Sequence, residues 1–178
     1  MPRKIVLIGP MGAGKTSLGK RLASKLRWAF ADTDHMIVAR TGADISLIFE
    51  REGEMGFRCR EHEVLRDVLA EPRDMVVSCG GGIVLLAQNR QLLMAQALVI
   101  FLDISVERQL QRVKNDRNRP LLKYADRRQK LQQLREERWG LYEGIADIYL
   151  STDENHFTTS FQRLIVSIKE FARQQSHR

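Results

Sequence analysis

The stretch that most constrains this chain is Gly-Pro-Met-Gly-Ala-Gly-Lys-Thr, which runs from Gly9 to Thr16. It follows the apolar run 5–8 and precedes a helical pattern that places Leu18, Leu22 and Leu26 on one face. A strand, a glycine-rich loop and a helix in this order give the spacing G-x-x-x-x-G-K-[ST] the context in which it binds phosphates. A glycine-rich turn that contains Lys-Thr by chance is the alternative, and the flanking strand and helix disfavour it. The sequence therefore predicts a nucleoside triphosphate site.

Each part of this loop suits phosphate binding. Glycines allow the backbone to wind tightly and to point successive N–H groups inward, and the helix N-terminus adds its positive dipole end. Lys15 supplies a positive charge for the β- and γ-phosphate oxygens and is a candidate catalytic residue, while the Thr16 hydroxyl is a candidate Mg²⁺ ligand. We expect ATP to contact Gly12, Ala13, Gly14, Lys15, Thr16 and Ser17.

Composition limits the class of protein. The 178 residues suit one globular domain with a sizeable core, and no apolar run reaches membrane-spanning length. The first strand begins too close to Met1 for a signal peptide, and the two cysteines fit no metal spacing, so we expect a cytoplasmic protein. The net charge of +7 indicates either nucleic acid binding or a site for several anionic groups. The basic residues are not interleaved with aromatic residues, as a surface for single strands would require.

The remaining pattern alternates strands with helices. Such an alternation builds βαβ units with parallel strands. We predict strands at 4–8, 28–31, 75–78, 97–102 and 148–150, and helices at about 15–26, 45–52, 54–69, 88–95, from 106 onward, 127–145 and 158–173.

Acidic residues follow two of these strands. Asp32 and Asp34 come directly after the second strand, at the sheet edge where open α/β sheets bind their ligands. Both therefore read as site residues, although one of them could instead cap a following helix. Asp103 ends the fourth strand and, taken alone, resembles a residue that organises Mg²⁺.

Two arginines and a run of glycines suggest a site for a second ligand. Arg58 and Glu61 lie three apart on a helix and could form either an exposed ion pair or a clamp for a carboxylate. Arg138 is the one charge on the inward face of its helix, so an acid of the protein or of a substrate should meet it. The three glycines 80–82 follow a strand and indicate close approach by a ligand or another chain segment.

The polar, basic segment 115–126 has no apolar period and predicts a lid that carries Arg119.

In these motifs the chain resembles the shikimate kinase family along almost its whole length. The matching stretches are GPMGAGKT, DTD at 32–34, GEMGFRCRE at 53–61, GGG at 80–82, RPLL at 119–122 and ERWGLY at 137–142. The phosphate loop is common to many kinases, whereas the other elements in this order are specific. The segment after Thr152 aligns poorly.

The resemblance implies a P-loop, nucleoside-monophosphate-kinase-like α/β fold with three layers and a five-stranded parallel sheet. It implies a single kinase domain over 1–178, with a substrate-binding region at about 33–61, and a monomer that binds neither nucleic acid nor membrane. The implied reaction transfers the γ-phosphoryl group of ATP, with one Mg²⁺ ion, to the 3-hydroxyl of shikimate.

The resemblance also assigns roles to residues. Catalytic roles fall on Lys15, Asp34 and Arg119, and metal binding falls on Thr16 and Asp32. Arg112 and Arg119 join the loop residues at ATP, and Phe49, Phe57 and Glu61 would line or brace the substrate pocket. Asp103 receives no catalytic role. Shikimate would contact Asp34, Arg58, Gly80, Gly81, Gly82 and Arg138.

Two rival functions follow from the same residues. Another kinase of this fold could phosphorylate gluconate, which is also a carboxylate. A non-catalytic, ATP-dependent nucleic-acid-binding module would account for the basic composition.

Overall fold

A computed structural model describes residues 3–113, 126–153 and 156–176. The strands are β1 (Lys4–Ile8), β2 (Ala29–Asp32), β3 (Met75–Ser78), β4 (Leu98–Asp103) and β5 (Ile148–Ser151). The helices in this part of the chain are α1 (Lys15–Leu26), α2 (Thr33–Thr41), α3 (Ile45–Ala70), α4 (Ala87–Gln96), α5 (Val106–Val113), α6 (Arg127–Glu143) and α7 (Phe157–Ser176).

The five strands form one parallel sheet in the order β2-β3-β1-β4-β5. Successive side chains of a strand point to opposite faces, so β1 contributes to two cores. Val6 and Ile8 pack on one face with residues of α2, α3, α4 and α6, and Ile5 and Leu7 pack on the other with α1 and α7. The result is the predicted three-layer α/β fold, with the carboxyl end of β1 leading into the phosphate loop.

Helix α2 was not predicted from the sequence. The Asp32 carboxylate caps it by accepting hydrogen bonds from the backbone N–H groups of Asp34 and His35, at 3.2 and 3.3 Å. Only Thr33 and Ile37 are buried in this helix, so its apolar period is too weak to read. The cap interpretation of Asp32 is therefore confirmed, and its role as a site residue stays a prediction.

The predicted break at Gly53 lies inside α3. Gly53 has φ 70° and ψ −176°, which separates two helical halves, 45–52 and 54–70. This backbone region is nearly exclusive to glycine. The break turns the second half so that Phe57, Arg58 and Glu61 are buried.

No helix of the described residues is long and apolar enough to cross a membrane.

Candidate active site

Two cavities open at the carboxyl ends of the strands and share part of their walls. One, of about 470 Å³, is lined by the phosphate loop, and the other, of about 580 Å³, is lined by α2, α3, α6 and the turn after β3. Asp34, Gly80 and Gly81 line both. The two cavities therefore adjoin at these three residues.

The phosphate loop has the geometry that its sequence predicts. Gly9 has φ +137°, and any Cβ there would overlap the Leu102 carbonyl oxygen, so only glycine fits. The Lys15 ammonium donates to the carbonyl oxygens of Gly9 and Pro10, each at 2.8 Å, and is buried. Helix α1 begins at Lys15 and carries no acid in its first turn, so its N-terminal dipole is available to an anion.

Oxygen ligands for a divalent cation meet beside the loop. The Thr16 hydroxyl donates to the Asp32 carboxylate at 2.8 Å and lies 3.3 Å from the Ser78 hydroxyl oxygen. Among the described residues no cluster of three or more His, Cys, Asp or Glu could hold a metal ion. Mg²⁺ is commonly bound by one or two protein oxygens together with water and phosphate oxygens, so this donor set fits that ion.

The far wall of the phosphate-loop cavity contains Arg112. Its guanidinium donates to the carbonyl oxygens of Gly12 at 3.0 Å and of Thr152 at 2.6 Å, and so connects the loop to the end of β5. Phe157 and Ser160 of α7 line the same cavity. Neither was predicted as a site residue, because the sequence after Thr152 carries no motif.

Arg58 and Glu61 form a buried pair, which rules out the exposed ion pair. Arg58 donates to Glu61 at 2.8 Å and to Glu54 at 3.1 Å, and Glu61 is fully buried. Burial raises the pKa of Glu61 to about 7, Arg58 opposes this shift, and the negative charge of Asp34 adds to it. Burial lowers the pKa of Arg58, but the carboxylates of Glu61 and Glu54 raise it by more. The pKa of Arg58 is therefore raised, and its charge is retained.

Two polar atoms of this pair make no hydrogen bond. Arg58 Nε and Glu61 Oε1 are buried and have no hydrogen-bond partner. Buried polar atoms are rarely left without a partner in native proteins, so such atoms in a cavity wall indicate a polar ligand.

Arg138 approaches the same cavity from α6. It is buried, and its guanidinium donates to the Gly81 carbonyl oxygen at 3.4 Å. No carboxylate of the described residues lies within salt-bridge distance, and Arg138 Nε is a third buried atom without a partner. Of the two alternatives for this arginine, an acid of the protein is not found among the described residues, and an anionic ligand stays a prediction. Tyr142, one turn further along, donates to the same Gly81 oxygen.

The glycines 80–82 make room for side chains of the protein itself. A Cβ on Gly80 would lie 2.6 Å from the Asp34 carboxylate and 3.0 Å from that of Glu61. A Cβ on Gly82 would overlap the Arg58 guanidinium, whereas one on Gly81 would make ordinary contacts at 3.6 Å. Close approach was predicted, and the approaching groups include the carboxylates and the arginine of the site.

Aromatic side chains complete one side of this cavity. The rings of Phe49 and Phe57 stack with centroids 4.6 Å apart, and the Arg58 guanidinium lies 5.4 Å from the Phe57 ring centroid. The apolar rings restrict the conformations open to the arginine.

Two further residues named from the sequence are Arg119 in the proposed lid and Asp103 at the end of β4. Arg119 and almost all of the proposed lid 115–126 lie outside the described residues. The Asp103 carboxylate, which could have organised a metal, instead accepts hydrogen bonds from Arg135, Trp139 and Tyr149.

Comparison with known proteins identifies the family. A model of the shikimate kinase family matches residues 11–169. The chain belongs to the shikimate kinase family. Shikimate kinases from Haemophilus influenzae (strain PittEE) and Francisella tularensis subsp. novicida (strain U112) are 50 % and 45 % identical to it over 155 and 151 residues. These matches cover 86 % and 85 % of this chain and 86 % of each relative.

Solved structures agree with this family. A shikimate kinase from Acinetobacter baumannii, solved in complex with shikimate, is 41 % identical with a TM-score of 0.91, over 96 % of this chain and 94 % of that one. A gluconokinase from Sinorhizobium meliloti 1021 has a TM-score of 0.63 at 15 % identity, over 99 % of this chain and 97 % of that one. At that identity the second likeness shows a shared fold alone. This member of the shikimate kinase family is thus an enzyme of the P-loop kinase fold.

Proposed function

We propose that this shikimate kinase family member transfers the γ-phosphoryl group of ATP to the 3-hydroxyl of shikimate. The observation that carries the proposal is the pair of cavities: a phosphate-binding loop lines one, two buried arginines line the other, and Asp34 lies where they meet. Phosphoryl transfer requires mainly alignment of the two reactants and neutralisation of charge.

Arg58 and Arg138 would bind the shikimate carboxylate. Their buried Nε–H groups are without partners, and they approach the cavity from two different helices. A planar guanidinium donates to a carboxylate in a fixed geometry, so two of them would orient the ring as well as bind it. A neutral sugar would leave both cations without an anion, which disfavours its binding. The backbone of Gly80, Gly81 and Gly82 would complete this wall.

Asp34 would accept a hydrogen bond from the attacking hydroxyl and orient it towards the phosphate loop. Lys15 would leave the carbonyl oxygens of its own loop for the β- and γ-phosphate oxygens. Thr16 and Asp32 would hold one Mg²⁺ ion, which supplies charge neutralisation on the phosphates when bound. Arg112 would lie beside the adenine, and Gly12, Ala13, Gly14 and Ser17 would contact the phosphates.

The remaining expectations belong to the same proposal. The chain would act as a single kinase domain and as a cytoplasmic monomer. Arg119 would reach the γ-phosphoryl group from a lid. The basic composition would serve two anionic substrates rather than nucleic acid.

The test is ADP formation measured with Mg²⁺ and ATP, with and without shikimate, and with gluconate as the matched carboxylate control. We expect shikimate-dependent turnover and a product identified as shikimate 3-phosphate by NMR. Equal turnover with gluconate, or none with shikimate, would refute the proposal.

The proposed role of Asp34 gives a second prediction. Asp34→Asn should lose most of the turnover with shikimate, while ATP still binds.

The proposed roles also predict that the arginines separate kinetically. Interactions made equally in the ground and transition states appear in KM, and those made only in the transition state appear in kcat. Arg58→Ala and Arg138→Ala should therefore raise the KM for shikimate, by an amount on the order of 2–5 kcal/mol in binding free energy. Arg119→Ala should lower kcat by about 10³–10⁵-fold, as loss of an arginine finger does. Steady-state kinetics with both substrates varied measure this, and near-normal kcat in Arg119→Ala would remove the lid arginine from the mechanism.

A further inference from the structure

The Asp103 carboxylate is a buried junction between the sheet and α6. It lies at the carboxyl end of β4 and is 5 % exposed. Arg135 of α6 donates to both of its oxygens, at 2.7 and 3.1 Å. Tyr149 of β5 and Trp139 of α6 donate to Oδ2 at 2.9 and 3.4 Å, and the Ile104 N–H donates to Oδ1 at 2.8 Å.

These contacts leave the carboxylate no free capacity for chemistry. Two carboxylate oxygens offer about four lone-pair positions, and five donors already converge on them. Burial raises the pKa of Asp103, but the hydrogen bonds lower it by more. The pKa is therefore lowered, and the group stays ionised. A carboxylate whose lone pairs are all occupied by donors of the protein has none left to accept a substrate proton or to bind a metal ion.

The junction itself rests on a fixed base. Both the N–H and the hydroxyl of Thr152 donate to the Asp103 carbonyl oxygen, at 2.8 and 3.0 Å, which ties the end of β4 to the residue after β5. Arg135 also donates to the Ile104 carbonyl oxygen at 3.0 Å. The guanidinium is therefore held in one orientation, because a planar fork bound at three oxygens cannot rotate.

Helix α6 is held against the sheet by apolar packing and by this polar tie. The ring centroids of Trp139 and Tyr142 lie 6.2 and 5.0 Å from that of Phe101 in β4, and Arg135 binds the end of the same strand. Arg135 and Arg138 lie three residues apart on α6, so a rotation or shift of the helix at Arg135 moves Arg138 by a similar amount. Asp103, Arg135 and Trp139 line the same cavity as Arg58 and Arg138.

We propose that Asp103 and Arg135 are positioning residues for shikimate: their bidentate pair fixes α6 against the sheet and thereby sets the Arg138 guanidinium over the cavity. The inference rests on the proposed function, in which Arg138 binds the shikimate carboxylate. Neither residue needs to touch the substrate. Loss of the tie should therefore weaken the binding of shikimate, to which the ground-state contact of Arg138 contributes.

The test compares Asp103→Asn and Arg135→Lys with the wild-type enzyme. Asp103→Asn keeps the shape but places a donor amide where Arg135 and Tyr149 donate, and Arg135→Lys removes the fork. We expect the KM for shikimate to rise by about 10- to 100-fold, by analogy with the loss of residues that orient the ligands of a metal ion. The kcat and the KM for ATP should stay unchanged.

A matched control separates positioning from loss of stability. Asp147 accepts a hydrogen bond from the Val99 N–H at 2.8 Å, close to the opposite end of β4. Asp147→Asn should lower the Tm without changing the KM for shikimate. If it raises that KM as much as Asp103→Asn does, or if the KM for ATP rises equally in Asp103→Asn, the effect is general destabilisation and the inference is wrong.

A double-mutant cycle tests whether Asp103 acts through Arg138. In an Arg138→Ala background, Asp103→Asn should add little to the loss of kcat/KM for shikimate, because the group it positions is gone. Multiplication of the two losses would refute the inference. If Asp103→Asn does not fold, Tyr149→Phe replaces it in the double-mutant cycle. This variant removes one donor to Asp103 and should raise the KM for shikimate by a smaller factor. Wild-type inactivity towards shikimate would refute the proposed function, whereas an active wild type with unaffected variants would refute only the positioning role.

Discussion

At the scale of single residues, the buried pair of Arg58 and Glu61 determines the character of the site. Removing two charges from water is costly, and the pair is tolerated because Glu54 adds a second carboxylate to the same guanidinium. The arrangement keeps the arginine charged and in place before a substrate arrives. The carboxylate of Glu61, in contrast, is held in surroundings that disfavour its ionisation.

The raised pKa of Glu61 predicts a pH dependence of stability. The pKa is about 7 in the folded protein against an ordinary value of 4.5, so between these values the folded state binds a proton that the unfolded chain has released. The free energy of unfolding should therefore fall as pH rises from about 4.5 to about 7, by on the order of 3 kcal/mol at most. Urea denaturation at a series of pH values measures this slope.

Glu61→Gln should remove that component of the slope. Glu54→Gln is the matched control, since Glu54 also pairs with Arg58 but has a largely exposed side chain. The same slope in Glu61→Gln as in the wild type would show that another group titrates.

At the scale of elements, the turn after β3 and the break in α3 both depend on glycine. The turn brings the backbone against the side chains of α2 and α3, and the break rotates the second half of α3 into the cavity wall. In both places the absence of a side chain is what lets the site form.

Gly82→Ala should displace the Arg58 guanidinium, because the new Cβ would overlap it. The displaced group is the end of a flexible side chain, so we expect little loss in Tm but a rise of about tenfold or more in the KM for shikimate, equivalent to about 1.4 kcal/mol. Gly81→Ala is the control within the same turn, since its Cβ would make only ordinary contacts. Equal KM values for the two variants would argue against the overlap.

Two glycines of the helices should respond to alanine with opposite signs. Gly53 has φ 70° and ψ −176° with no atom within reach of an added Cβ, so Gly53→Ala is opposed by backbone conformation alone. We expect a loss of about 1–3 kcal/mol in the free energy of unfolding. Gly140 lies in the regular helix α6 with equal space, so Gly140→Ala should gain about 0.5–1 kcal/mol. Chemical denaturation measures the free energy of unfolding of both variants. A stabilising effect of Gly53→Ala would contradict the need for the break.

At the scale of the whole molecule, the two cavities share one wall but differ in their charged residues. Lys15 lines the phosphate-loop cavity and Arg58 and Arg138 line the other, so ligand binding to one should survive the loss of a charge in the other. A ligand that binds only the folded state stabilises it by RT ln(1 + [L]/Kd), which is about 2.7 kcal/mol at a hundredfold excess over Kd.

This difference between the cavities predicts a reciprocal pattern in thermal unfolding. Lys15→Ala should lose the stabilisation given by ADP with Mg²⁺ and keep that given by shikimate. Arg58→Ala should show the reverse. The measurement is the ligand-dependent shift in Tm for each variant, and loss of both shifts in one variant would show that the cavities do not bind independently.

Much of the fold was readable because it is local. The apolar run of β1, the glycine spacing of the phosphate loop and the 3.6-residue period of α1 predicted those bounds directly, and the five strands were each found within about one residue. Helix α2 was missed because it buries little.

The sequence by itself determined the phosphate loop, the strand order along the chain and the placement of Asp32 and Asp34 at a strand end, because each depends on neighbours close in the chain. Tertiary structure alone decided that Arg58 and Glu61 are buried rather than exposed, that Arg138 meets no described carboxylate, and that the Asp103 carboxylate accepts hydrogen bonds from Arg135. The physical reason is that burial and pairing depend on which distant segments come together. Helical spacing fixes the face on which a charge lies, but only packing fixes what that face meets.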